Sequence, residues 1–174
     1  MGETIVLGGG CFWCTEAVFS VVQGVIKAVP GYSGGNTENP SYEEVCTGAT
    51  GHAEVLMLEY DPERLPLERI LEVFFEMHDP TSVDGQGADI GPQYRSIILY
   101  TSEAQRRRIE EYIEGIRHRY KKPVVTEVRR LVTFYPAEDY HKEYYLKNPT
   151  QPYCLLVIKP KVEKIMDRLG IGRR

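Results

Sequence analysis

Thr4-Ile5-Val6-Leu7-Gly8-Gly9-Gly10-Cys11-Phe12-Trp13-Cys14 is the stretch that decides how the rest of the chain is read. Four apolar or β-branched residues read as a buried strand, and three glycines let the backbone turn sharply. Helical spacing follows, with Ala17, Val18, Val21 and Val22 on one stripe and Gly24 as its stop. Cys11 therefore opens a helix. A helix N-terminus carries partial positive charge and free N–H groups, so a thiol there is expected to ionise below its usual pKa of about 8.5, at roughly 3.5–7.5. That placement suits a nucleophilic thiolate. Phe12 and Trp13, the single tryptophan, read either as core or as an apolar cup around a small substrate group.

Outward from this stretch, residues 25–29 read as a second strand that ends in Pro30-Gly31-Tyr32-Ser33-Gly34-Gly35. Ser41-Tyr42-Glu43-Glu44 has the form of a capping box, so a short helix should begin at Ser41. Residues 54–60 are apolar on both faces, as in a central strand, and Leu67, Ile70, Leu71 and Phe74 form a helical stripe ending at Asp79-Pro80. Residues 79–93 read as a long loop, a length that usually carries function or disorder. Then come a strand at 95–100, a surface helix marked by Ile109, Ile113, Ile116 and Tyr120, and a strand at 126–132. A helix at 137–146, a β-like run at 155–158 and a helix at 162–169 complete the chain. Strand, helix, strand, strand, helix, strand is the order of a ferredoxin-like split βαβ two-layer sandwich, an α/β (α+β) fold here with added helices and long loops. One domain, residues 1–174, accommodates it.

The 42% hydrophobic and 26% charged fractions over 174 residues suit a globular protein, and a net charge of -4 points to neither nucleic acid nor anionic membrane. Arg106-Arg107-Arg108 and Arg117-His118-Arg119 lie among glutamates and read as a solvated helix face. No apolar run is long enough for a bilayer, and the N-terminus lacks the form of a signal peptide, so cytoplasmic residence is expected. Four cysteines are too few for a disulfide scaffold in a chain of this size, and suggest metal or redox chemistry instead. Cys11 and Cys14 have zinc-like spacing without a second pair, and they also form the Cys-x-x-Cys of a thioredoxin-like disulfide oxidoreductase.

Gly10-Cys11-Phe12-Trp13 resembles the signature of the A-type peptide methionine sulfoxide reductases. The resemblance continues in order through Gly31-Tyr32-Ser33-Gly34-Gly35, Tyr42-Glu43-Glu44-Val45-Cys46-Thr47-Gly48, Thr50-Gly51-His52-Ala53-Glu54 and His78-Asp79-Pro80. Gln93-Tyr94-Arg95-Ser96, Ala137-Glu138-Asp139-Tyr140-His141 and Asn148-Pro149 extend it over most of the chain. It implies reduction of the S epimer of methionine sulfoxide, free or in proteins, through a Cys11 sulfenic acid and then a disulfide. Glu54 would protonate the departing oxygen, Tyr42 and Tyr94 would hydrogen-bond it, Asp89 would help shape the site, and Phe12 and Trp13 would hold the methyl group. His52 and His141 would be supporting hydrogen-bonders. Thioredoxin, or dithiothreitol in vitro, would be the electron donor to a monomer with no bound metal or cofactor.

Three features depart from the family pattern. Cys14 stands where the best-known motif has glycine, Asp89-Ile90-Gly91 replaces Asp-His-Gly, and Tyr153-Cys154 runs into a β-like stretch where relatives carry a Gly-rich tail. Cys14, three residues along the helix, and Cys154, at the family's tail position, are both candidates to resolve the sulfenic acid. Cys46 reads as core.

Overall fold

The computed structural model describes residues 2–171. In chain order its elements are β1 (Glu3–Gly8), α1 (Phe12–Phe19), β2 (Val25–Ser33), α2 (Tyr42–Cys46), β3 (Ala53–Tyr60) and α3 (Leu67–Met77). There follow a small hairpin of β4 (Gly85–Gln86) and β5 (Asp89–Ile90), then β6 (Ile97–Tyr100), α4 (Glu103–Ile116), β7 (Glu127–Arg130), β8 (Phe134–Pro136), α5 (Tyr144–Lys147) and α6 (Lys159–Leu169). The sheet order is β7-β6-β1-β3-β2-β8. Its middle, β6-β1-β3-β2, is antiparallel throughout and has the split βαβ arrangement expected from the element order.

Strand alternation separates two apolar faces. Ile5, Leu7, Leu56, Leu58, Tyr60 and Ile98 face the helices in the main core. Val6, Ala53, Val55, Ile97 and Leu99 form a second cluster on the opposite face, with Met57, Leu131 and Phe134 against it. Glu54 falls on the same parity as Leu56 and Leu58. Its carboxyl is thereby directed into the helical layer, toward α1.

The sheet is curled. β7 lies on one edge and β8 on the other, yet only residues 131–133 join them. Four Cα steps of 3.8 Å span at most about 15 Å, so the two edges must approach each other around the smaller cluster. This explains why the strand expected over 126–132 ends at Arg130 and a separate β8 follows. Because β8 pairs with β2, β2 continues to Ser33, past its expected end at residue 29. Gly31, opposite Pro136, permits that approach: a Cβ there would sit 2.5 Å from the Tyr135 carbonyl oxygen.

Helix α1 is buried almost all round, because the sheet covers one side and α6 another. The β-like reading of 155–158 is corrected here. Residues Cys154–Ile158 form a π-helical turn that leads directly into α6. Cys154, Ile158, Val162 and Ile165 are buried at helical spacing, while Leu155 and Leu156 point outward; packing on α1 overrides the local β preference of Leu-Leu-Val-Ile. The helix expected over 137–146 is likewise broken, into a 3-10 turn at Asp139–His141 and α5, with left-handed Glu143 (φ 52°) between them.

Gly31→Ala is expected to destabilise the fold by about 1–3 kcal/mol through overpacking. Gly115→Ala, in α4 with nothing within 4 Å of the added Cβ, should stabilise by about 0.4–1 kcal/mol. Urea unfolding midpoints of the two variants against the parent chain check both signs.

Candidate active site

Cys11 is the N-cap of α1 in an extended conformation (φ −63°, ψ 131°), and Gly10 before it has φ 104°, a region that side chains rarely occupy. Burial, with only 7% of the residue exposed, pushes the Cys11 thiol well up, and a Cys14 hydrogen bond and the nearby Glu54 carboxyl act in the same direction. A helix-start amide, Trp13 N–H, opposes this but is outweighed. The expectation of a low Cys11 pKa from helix placement alone is therefore corrected: loss of water costs the thiolate more than the helix terminus returns. Cys14, which receives the Cys11 hydrogen bond, is pushed down to about 7. The two thiols share protons, and the pair loses its first near neutral pH.

Glu54 is 1% exposed. Burial raises its pKa to about 8, against the lowering effect of a hydrogen bond from Phe12 N–H, and Asp89 adds to the rise. One oxygen, Oε1, accepts that bond at 3.1 Å, while Oε2 is buried with no hydrogen-bond partner among the described residues. At pH 7 this is a neutral carboxyl with a proton to donate.

Around this pair stand the two tyrosines. Tyr42 begins α2, whose capping box is formed: Ser41 Oγ accepts from Glu44 N–H and Glu44 Oε1 from Ser41 N–H. The Tyr42 N–H, one of the free donors of this helix start, donates to Glu138 Oε2 at 2.9 Å, and Tyr32 O–H donates to Glu138 Oε1 at 2.9 Å. Tyr94 closes a 3-10 turn, Pro92–Tyr94, at the end of the long loop. Burial raises both the Tyr42 and Tyr94 phenols, and the nearby Glu54 carboxyl raises them further, so both remain O–H donors. Phe12 is fully buried and Trp13 is partly exposed. Trp13 stacks on Tyr144 at 3.8 Å between ring centroids, and its Nε1–H donates to His141 Nδ1 at 2.9 Å. His141 also lies 4.4 Å from the Tyr42 ring. These rings make an apolar wall beside the thiol.

The structure thus brings Cys11, Cys14, Glu54, Tyr42, Tyr94, Asp89, Phe12 and Trp13 to one place. His52 supports from further out: its Nδ1 accepts from Gly35 N–H at 3.0 Å and its Nε2–H donates to Thr37 O at 2.7 Å. Cys154 is buried behind α1, where Cys14 acts on it electrostatically. Cys46, expected in the core, is exposed at the end of α2, because Val45 takes the inward position of that short helix. Glu138, Tyr144 and Tyr153 contribute contacts that the sequence reading had not assigned to them. Their partners lie 64 to 140 residues away, so no local spacing marks them.

Known proteins match along almost the whole chain. The family profile described as peptide methionine sulfoxide reductase covers residues 3–170. A peptide methionine sulfoxide reductase MsrA from Saccharolobus solfataricus is 56% identical over 164 residues, spanning 94% of this chain and 93% of that protein. Methionine sulfoxide reductase A of Corynebacterium diphtheriae superposes with a TM-score of 0.83 at 36% identity, over 86% of this chain and 76% of that one. Reduced Mxr1 from Saccharomyces cerevisiae also gives 0.83, at 33% identity, over 86% and 87% of the two chains. Mxr1 in complex with Trx2 shares the fold at a TM-score of 0.60 and 23% identity, over 82% and 84%. With its thiol, neutral carboxyl and phenols gathered in one site, the chain belongs to the peptide methionine sulfoxide reductase family, and it reduces methionine (S)-S-oxide by thiol chemistry.

Proposed function

We propose that Cys11 is the nucleophile of this reaction and that Glu54 is its acid. The observation that carries the assignment is the Glu54 carboxyl: neutral near pH 7, tied by one oxygen to the amide next to Cys11, and with no partner among the described residues at the other. A sulfoxide oxygen is a basic acceptor of the kind that Oε2–H lacks. It is a poor leaving group until protonated, so attack on the sulfur needs such a donor nearby.

The steps follow from these positions. Cys14 takes up the proton shared between the thiols, leaving the Cys11 thiolate free to attack the sulfoxide sulfur. Glu54 protonates the oxygen, and the Tyr42 and Tyr94 phenols donate to it as negative charge develops. The oxygen passes to Cys11 as a sulfenic acid, and methionine leaves. Trp13, partly exposed, receives the methyl group on an apolar surface that Phe12 backs from the core, and the two orient the sulfoxide. Thioredoxin or a similar dithiol then returns the enzyme to its reduced form, a reading supported by the solved complex of the yeast relative with Trx2.

Mixed with methionine S-sulfoxide and no reductant, reduced protein should release about one methionine per chain, and Cys11→Ser should release none. A Cys11→Ser protein that still gives one equivalent removes Cys11 as nucleophile. The rate of that first turnover should rise with pH through about 7, as the thiol pair ionises, and fall above about 8, as Glu54 loses its proton. Glu54→Gln should slow it by about 10²–10⁴-fold. The alkaline fall should disappear as well, which rapid-quench measurements across roughly pH 5.5–9.5 would show.

A further inference from the structure

Cys14 has a second set of partners that the first half of the reaction does not use. Its Sγ lies 3.6 Å from Tyr153 Oη, and Tyr153 O–H donates to Asp89 Oδ2 at 2.6 Å. A phenol has one proton. With that proton committed to Asp89, the Tyr153 oxygen presents lone pairs to Cys14, so the thiol is the donor in the 3.6 Å contact. The three groups form a chain of one direction, from S–H to phenol to carboxyl. The Trp13 ring, edge-on at 6.0 Å, packs against Tyr153, which stands immediately before the π-helical turn. Such turns are frequent at functional sites.

Among the described residues, this chain exists at the thiol that touches Cys11 and not at the other candidate. Cys14 and Cys11 are hydrogen-bonded, and Cys14 N–H donates to the Cys11 carbonyl at 3.0 Å, which closes the first turn of α1 around the pair. Cys154 is fully buried, and both burial and the neighbouring Cys14 push its thiol up, which keeps it protonated and poorly nucleophilic. A cleft of about 660 Å³, lined among others by Gln86, Asp89, Tyr153, Val157 and Lys161, lies against Asp89 and Tyr153. It gives a proton arriving on Asp89 a route to solvent.

Building on Cys11 as the nucleophile, we propose that Cys14 resolves the Cys11 sulfenic acid, and that Tyr153 and Asp89 relay the Cys14 proton away as it attacks. The Cys14 sulfur attacks the Cys11 sulfur, the S–S bond forms and the S–O bond breaks. The thiol proton moves to the Tyr153 oxygen as the phenol proton moves to Asp89. The departing hydroxide takes an equivalent proton from solvent and leaves as water, and Asp89 releases its own into the cleft. Cys14 is oxidised and Cys11 reduced, both to the level of a disulfide, and the sulfoxide is the only oxidant required. Tyr153 touches the reacting sulfur, whereas Asp89 acts through Tyr153 as a positioning and proton-accepting residue.

The test is a single turnover with methionine S-sulfoxide in the absence of reductant, following methionine release, sulfenic acid captured by a cyclic 1,3-diketone, and the disulfide mapped by mass spectrometry. Cys154→Ser should form a Cys11–Cys14 disulfide at the parent rate. Tyr153→Phe and Asp89→Asn should each lengthen the life of the sulfenic acid tenfold or more relative to that variant's own methionine burst, a ratio that a general loss of packing would leave unchanged. A disulfide mapped to Cys11 and Cys154, or its loss in Cys154→Ser, overturns Cys14 as the resolving residue. Closure at the parent rate in Tyr153→Phe overturns the relay, and if that variant does not fold, Asp89→Asn decides alone. Absence of any methionine burst from the parent protein would instead count against the Cys11 assignment itself, so the two failures are distinct.

Discussion

Removing Glu54 from water while keeping it bonded to the Phe12 amide is the constraint from which the remaining site geometry follows. A carboxyl with 1% exposure and one amide donor cannot easily hold a negative charge, so it keeps its proton to about pH 8. The same dryness acts on Cys11, whose thiolate is also disfavoured. In the proposed assignment the nucleophile and the acid, side by side in one low-dielectric pocket, thus both begin neutral. Only one charge needs to be made, and Cys14 is the group that makes it accessible, by sharing protons with Cys11 near pH 7. In an exposed site the carboxyl would be ionised at pH 7 and would have no proton for the oxygen.

The fold provides this pocket through strand parity and edges. Glu54 faces the helices because it alternates with apolar residues of β3 that must do so. Tyr32, its cross-strand neighbour on β2, is fully buried on the same face and donates to Glu138, which in turn receives Tyr42 N–H. β8 delivers Glu138 and His141 to that point, and Ala137 N–H is tied to the Pro30 carbonyl at 2.9 Å. One glutamate thus links two strands and a helix start, so Tyr42 is held at the site by contacts that span the sheet edge. Lower in the same layer, His78 is neutral, with burial pushing it down to about 4; its Nδ1–H donates to Phe74 O and its Nε2 accepts from Ser96. It packs under Gly9, where a Cβ would lie 2.9 Å from the ring, and so sets the floor of the turn before Cys11.

The elements legible from sequence were those with strong local periodicity or a local cap. β1, β3 and α3 carry clean apolar patterns, and the Ser41 capping box is completed by residues only three apart. The split βαβ order followed from these. What local reading missed depends on distant partners. β8 is three residues long and exists because β2 offers an edge. Residues 154–158 have β-branched composition, but the burial of Cys154 and Ile158 against α1 makes them helical. At the site, Cys11 and Glu54 were marked by their motifs and by their places at a helix start and a strand end. The pKa of Cys11 was not, because a helix terminus can be read from sequence while the depth of burial cannot. Tyr153 is one of twelve tyrosines, and only the fold shows which one reaches Cys14.

That depth of burial also separates this Cys-x-x-Cys from a disulfide oxidoreductase built on the same spacing. An enzyme that exchanges disulfides with proteins requires its first cysteine to be exposed and readily ionised, since it must reach another chain's sulfur. Here the first cysteine is 7% exposed with its thiol pushed up, and the second is pushed down. The order is inverted, which fits a substrate that enters as a single small side chain and brings its own oxygen to be protonated. With the proposed roles, Cys11 needs to be a thiolate only while a sulfoxide and the Glu54 proton are both present. The rest of the time the pocket favours the thiol, and a buried thiol beside a neutral carboxyl is poorly disposed to react with oxidants that lack an oxygen for that carboxyl to protonate.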